Sequence, residues 1–190
     1  NLRRDWAGQQ QVYRSLELDL DGEPLLLEGA LQLNPENHTM IECRFNRYSE
    51  KNDPLKDRYK LAAWLRWLLV RATTPLEISV SMRVFHSVFD NTPFSLPLES
   101  MPDSPEAARE RLQILLEAWY AGLQKPLPLL VEEPLTPLKI EKKHPDVVQM
   151  DKSLENPAFA KLFADQFDDP EFRKTVAETT KRLFGDLATP

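Results

Sequence analysis

Cysteine occurs once in these 190 residues, at Cys43, and glycine only five times. A single thiol excludes any disulfide framework within the chain and any zinc site built on paired thiolates. Cys43 is therefore read as a small buried hydrophobe. The scattered glycines supply no phosphate-cradling loop, and the chain holds neither a Gly-x-Ser-x-Gly nucleophile elbow nor a His-Glu-x-x-His helix. Histidine is scarce too. His38, His86 and His144 are too dispersed to suggest a shared metal or a catalytic dyad. Asn37-His38-Thr39 matches a glycosylation acceptor, a match that means nothing without secretion. No apolar run approaches the roughly 18 residues needed to cross a bilayer, and the amino-terminal stretch lacks the apolar segment of a signal peptide. The expectation is a cytoplasmic protein with no membrane partner. A start at a charged stub rather than methionine reads as a piece of a longer protein.

Against those absences stand a hydrophobic share of 42%, enough for a real core, and sixteen prolines that punctuate the chain. Asp53-Pro54, Ser104-Pro105, Asn156-Pro157 and Asp169-Pro170 each put a short polar acceptor before a proline, the signature of a helix start. The first helix is predicted over residues 54–72, with Leu55, Tyr59, Ala62, Leu65 and Leu69 on one face and apolar residues around most of its circumference. The second is predicted over 105–121, with Ala108, Leu112, Leu115 and Trp119 inward and Gly122 as its stop.

Alternation gives the strands. Leu16, Leu18 and Leu20 alternate with acids, and Asp21-Gly22 turns the chain into a second strand over 24–33. A turn at 34–37 leads to a third strand over 39–45, and the three are expected to form a meander. A fourth strand is predicted over 76–85 and a short fifth over 94–98. The prolines of 125–131 forbid helix and predict an extended segment on the core. Residues 132–156 read as a proline- and charge-rich linker. Phe159, Leu162, Phe163 and Phe167 make one amphipathic stripe near the carboxyl end, and Phe172, Val176, Leu183 and Leu187 make another. The domain plan is thus a core over 1–131, a linker over 132–156 and carboxyl-terminal helices over 157–190.

Strand, turn, strand and helix between Leu25 and Trp67 follow the spacing of PD-(D/E)XK nucleases. In those enzymes an aspartate ends one strand, and an acidic-x-lysine triplet on the next helps to hold a divalent cation that activates water. Here Gln32 stands in the aspartate's place and Glu42-Cys43-Arg44 in the triplet's. An amide supplies no charge to a hard cation, and an arginine does not give up its proton to act as a base. The expected site, Gln32, Glu42 and Arg44, is therefore a degenerate one on an α/β (α+β) restriction-endonuclease-like core. Read so, it has no catalytic residue, metal or cofactor, and Glu42 is expected to pair with a nearby arginine; the competing readings are a divergent but working metal-dependent nuclease and a protein-interaction module with no DNA contact.

Charge is uneven. The chain carries −6 overall with a pI near 5.2, yet residues 42–71 hold eight basic and four acidic side chains, a local +4 that leaves −10 elsewhere. A basic island in an acidic chain attracts phosphates. Arg44, Arg47, Lys60 and Arg71 are the candidate DNA contacts. Lys60, Trp64, Trp67 and Arg71 fall on one helical stripe that mixes cations with stacking rings. The competing reading of that stripe is core or subunit interface. The acidic pI argues that any DNA contact is made within a larger assembly.

Three stretches, residues 18–32 (LDLDGEPLLLEGALQ), 60–72 (KLAAWLRWLLVRA) and 106–131 (EAARERLQILLEAWYAGLQKPLPLLV), resemble the C-terminal domain of the gamma chain (RecC) of bacterial exodeoxyribonuclease V, the RecBCD helicase–nuclease. The resemblance spans about residues 15 to 131. It implies a nuclease-like fold that has lost catalysis and an architectural role in double-strand-break repair and recombination. Its implied partners are the subunits that unwind and cut, together with duplex or forked DNA.

Overall fold

The structure, a computed structural model, describes residues 8–43, 57–85, 94–96, 100–129, 135 and 157–187. Over these the chain is mixed α/β: two small sheets and four α-helices among the described residues. It divides into two compact units, Asn1–Gln113 and Ile114–Pro190.

The first unit opens with the expected hairpin. Strands β1 (Gln10–Leu20) and β2 (Glu23–Leu33) pair antiparallel along their whole length. At the turn Asp21 and Gly22 both have positive φ, 55° and 85°, which matches the right-handed twist of the strands it joins. The Asp19 carboxylate accepts from Gly22 N–H and holds the turn shut. Leu16 and Leu18 face their partners Leu27 and Leu25 on the inner side, while Leu26 and Tyr13 point to solvent.

Asp19 lies opposite Pro24 at a non-hydrogen-bonded position of the ladder, where its backbone groups look outward and proline's missing N–H costs nothing. The Gln113 amide takes both of them, donating to Asp19 O and accepting from Asp19 N, and Arg109 donates to Glu17 O. Helix α2 (Pro105–Gln124) thereby covers part of an edge that would otherwise template further pairing. Its start is as predicted: Ser104 Oγ accepts from Ala107 N–H at 3.1 Å.

The expected meander does not form. Strand β3 (Thr39–Cys43) pairs in parallel with β4 (Ser81–Phe85), and β5 (Phe94–Ser95) adds antiparallel to β4 in a sheet separate from the hairpin. The physical reason lies in burial. Met40 and Ile41 are adjacent, so they face opposite sides of their sheet, and both are buried. A strand covered on both faces suits the parallel, helix-connected arrangement rather than a one-sided meander. Helix α1 (Asp57–Ala72) is the connection. The start predicted at Asp53-Pro54 lies outside the described residues.

Of the face predicted to point inward on helix α1, Leu69 is buried as expected and Leu55 lies outside the described residues, but the inward side is otherwise a different one. Its buried residues are Asp57, Ala63, Trp64 and the run from Trp67 to Arg71, whereas Leu65 is 43% exposed and Tyr59 and Ala62 are half-buried. Burial over more than one side is as expected. Against the hairpin the helix sits close: a Cβ at Gly29 would lie 3.2 Å from Leu69 Cδ2.

After α1 the predicted fourth strand begins five residues late. Trp67 Nε1 donates to Val80 O, and the Arg71 guanidinium donates to the carbonyls of Thr74, Pro75 and Ile78 at 2.6–2.7 Å. Those carbonyls are taken by side chains, so residues 73–80 form a loop and Leu76 is exposed.

In the second unit α2 runs through Gly122 to Gln124, so that glycine is not a stop. It is instead a place of close approach, since a Cβ there would meet Leu127 at 3.3 Å as the proline-bearing segment turns back. Trp119, predicted inward, is 56% exposed. Helices α3 (Pro157–Phe163) and α4 (Pro170–Phe184) are joined by a 3-10 turn, Ala164–Gln166. Asp169 caps α4 by accepting from Glu171 N–H at 3.0 Å, as the Asp-Pro signal predicts. Phe159, Phe167, Phe172 and Val176 form a buried cluster with Phe163 packed on it, so the two predicted stripes face each other. Leu162, counted in the first stripe, is half-exposed.

Candidate functional site

The polar positions singled out on β2 and β3 meet at one cleft of about 230 Å³, lined by Ala30, Leu31 and Gln32 of β2, Met40, Ile41 and Glu42 of β3, Arg66 of α1 and Met82 of β4. The local chain explains the convergence. Leu33, fully buried, anchors the end of β2. The Asn34 side chain then accepts from Glu36 and Asn37 N–H, Asn37 accepts from Thr39 N–H, and His38 takes a positive φ of 51°, so the chain turns sharply into β3. Glu42 falls in register opposite Val84 and alternates with Ile41 across the strand.

Glu42 is charged and only 15% exposed, a placement that requires a partner. Arg66 provides it. A single nitrogen, Nη1, donates to both carboxylate oxygens, at 3.1 Å to Oε1 and 2.9 Å to Oε2. The expected pairing of Glu42 with a nearby arginine is thus present, and the arginine comes from a helix 24 residues downstream. Gln32 lines the cleft from an exposed position. Among the described residues Glu42 is the one carboxylate that lines the cleft, and no group of three or more His, Cys, Asp or Glu is clustered as a metal would need.

The candidate DNA contacts fare unequally. Arg44 and Arg47 lie outside the described residues. Lys60 is partly exposed and lies 3.6 Å from Asp57 one turn earlier. Arg71 must be corrected: it is 4% exposed and its guanidinium is directed at three loop carbonyls, so it is not presented to a phosphate. Burial pushes its pKa down from the ordinary arginine value, while the charges of Glu106 and Glu77 act in the opposite direction. Trp64 and Trp67 are likewise core, not base platforms. The stripe of cations and rings on α1 is its inward side.

Arg66 is the site residue that the sequence did not single out. It was one of eight basic residues in the island, and only the fold, by laying α1 over β3, distinguishes it from the rest. Arg58 and Arg83 are also cations on exposed positions of the same unit.

Among the described residues no helix is long and apolar enough to cross a membrane. A family model described as the RecC C-terminal domain matches residues 1–138. Neither the curated proteins nor the solved structures compared with the chain give a match.

Proposed function

The chain belongs to the RecC C-terminal domain family, and from that premise we propose that it is a non-catalytic scaffold domain of the gamma subunit of an ATP-dependent helicase–exonuclease, acting in double-strand-break repair and recombination. Its partners are the other subunits of that complex and duplex or forked DNA, in the cytoplasm. The core, over residues 1–131, is read as a restriction-endonuclease-like fold whose active site has decayed. Residues 132–156 are read as a linker and 157–190 as appended helices, and no cofactor is assigned to the domain.

One observation carries the non-catalytic reading: Glu42 is ion-paired with Arg66, and Gln32 brings a neutral amide to the same cleft. Phosphodiester hydrolysis of this type needs a hard cation to polarise phosphate and water. One carboxylate already satisfied by a guanidinium is a poor oxygen ligand for Mg²⁺. Any phosphate contact falls to Arg44, Arg47 and Lys60, which steer the backbone of DNA without reading its sequence.

Incubating the purified chain with linear DNA and Mg²⁺ or Mn²⁺ tests this reading. No cleavage is expected. Cleavage that disappears in Glu42→Ala establishes the rival, an active metal-dependent nuclease. A second measurement separates a DNA-contacting scaffold from a module that binds only protein. Binding to a forked duplex should weaken with salt and with charge reversal at Arg44 and Lys60, and absence of any such binding favours the protein-only module.

A further inference from the structure

We infer that Arg66 stands where a cation would otherwise bind Glu42, so that the guanidinium and a divalent metal exclude one another at this carboxylate. The inference rests on the nuclease-like reading of the cleft and deepens it, because it names the residue that closes the site. Two distances carry it. Nη1 lies 3.1 Å from Oε1 and 2.9 Å from Oε2, nearly equidistant from the two oxygens. A donor so placed sits close to the bisector of the carboxylate, the direction from which a metal takes both oxygens together. The same lone pairs cannot serve both. Arginine also keeps its charge at every accessible pH, so this occupant does not leave by deprotonation.

The surroundings favour the guanidinium. Glu42 is mostly shielded, with Leu31, Met40 and Met82 among the cleft walls, and Arg66 is 39% exposed, so its charge is held at the rim while its tip reaches the carboxylate. Gln32 adds no charge that would help a metal compete. The pair also links β3 to α1 across 24 residues of sequence, which gives the cleft a cross-link where a nuclease would hold its ion.

Isotope-labelled chain titrated with Mn²⁺ tests the exclusion, read as paramagnetic broadening of backbone amide signals at Ile41 and Glu42. The wild-type chain should show no selective broadening there. Arg66→Ala should show it at Mn²⁺ concentrations about tenfold below the highest at which the wild type still shows none, as removal of a neighbouring positive charge requires, and Glu42→Gln in the Arg66→Ala background should abolish it. If Arg66→Ala fails to fold, Arg66→Met keeps the stem and carries the same test. Equal broadening in wild type and variant, or none in a folded variant, overturns the inference. The titration uses no DNA and no partner. Wild-type cleavage of DNA would sink the scaffold reading, whereas a folded Arg66 variant that ignores Mn²⁺ sinks only the role given to Arg66.

Discussion

Two arginines five residues apart on α1 have opposite environments. Arg71 is buried at the helix end and meets only neutral carbonyls, three of them, from the loop that follows. Arg66 sits on the half-exposed flank and meets a carboxylate from strand β3. At the helix end the charge is desolvated, and its value lies in donating to the carbonyls of Thr74 and Ile78 and in adding a second donor to that of Pro75, which also accepts from Ile78 N–H. In the cleft the charge stays near water and neutralises an acid. The contrast teaches that a local excess of basic residues does not define a binding surface. One of these cations is structural and the other is held by an acid, although both belong to the island that gave the strongest electrostatic hint of DNA contact.

The largest expected effect is at the buried end. Arg71→Ala takes a donor from the buried carbonyl of Thr74 and the half-buried one of Ile78, while Pro75 O keeps Ile78 N–H, and it should lower stability by about 2 kcal/mol in a urea melt, given roughly 1–3 kcal/mol per unsatisfied buried group. Arg71→Lys should recover less than half of the loss, since an ammonium has no planar fork to span three acceptors. A loss within about 0.5 kcal/mol, the range usual for surface substitutions, would mean that the loop does not depend on this side chain and would remove the distinction between the two arginines.

That loop also shows where sequence reading stops. Punctuation between near neighbours was legible: Asp21-Gly22 turns the hairpin, and Ser104 and Asp169 accept from helix N–H groups two or three residues on. Each of those interactions closes over a few residues, so its residue types suffice to announce it. The partner of β3 was not legible, because strand pairing with β4 is decided by burial on both faces and by a helix in between. Gly122 was misread for a related reason, as Leu127 returning over it is a packing event and not a helix signal. At the cleft, Gln32 and Glu42 could be picked out by spacing, but Arg66 could not, because nothing in a run of basic residues marks the one that will lie over an acid 24 positions earlier.

A double-mutant cycle on Glu42→Gln and Arg66→Met addresses the second member of the comparison. The expected coupling is about 1 kcal/mol, since the pair is charge-assisted but partly open to water. It should shrink as ionic strength rises from about 0.1 M to about 1 M, where screening acts within a few ångströms. The Arg71 effect, made by a buried guanidinium with neutral acceptors, should change little over the same range. Equal salt dependence at both positions would show that the half-exposed and buried arginines are electrostatically alike, and the contrast drawn from their geometry would fail.

The smallest stability effect should come from Lys60, the described member of the proposed phosphate contacts. Its ammonium lies 3.6 Å from Asp57 at i,i+3 spacing, a pairing worth a few tenths of a kcal/mol on a helix. Lys60→Gln should therefore leave the melting curve nearly unchanged. If the ammonium also meets phosphate, the same substitution should weaken binding to a forked duplex at low salt and reduce the slope of log affinity against log salt by about one unit, the signature of one lost counterion-releasing contact. An unchanged slope would assign Lys60 to its helix alone. Of the cations first picked for phosphate contact, that would leave only Arg44 and Arg47, both outside the described residues.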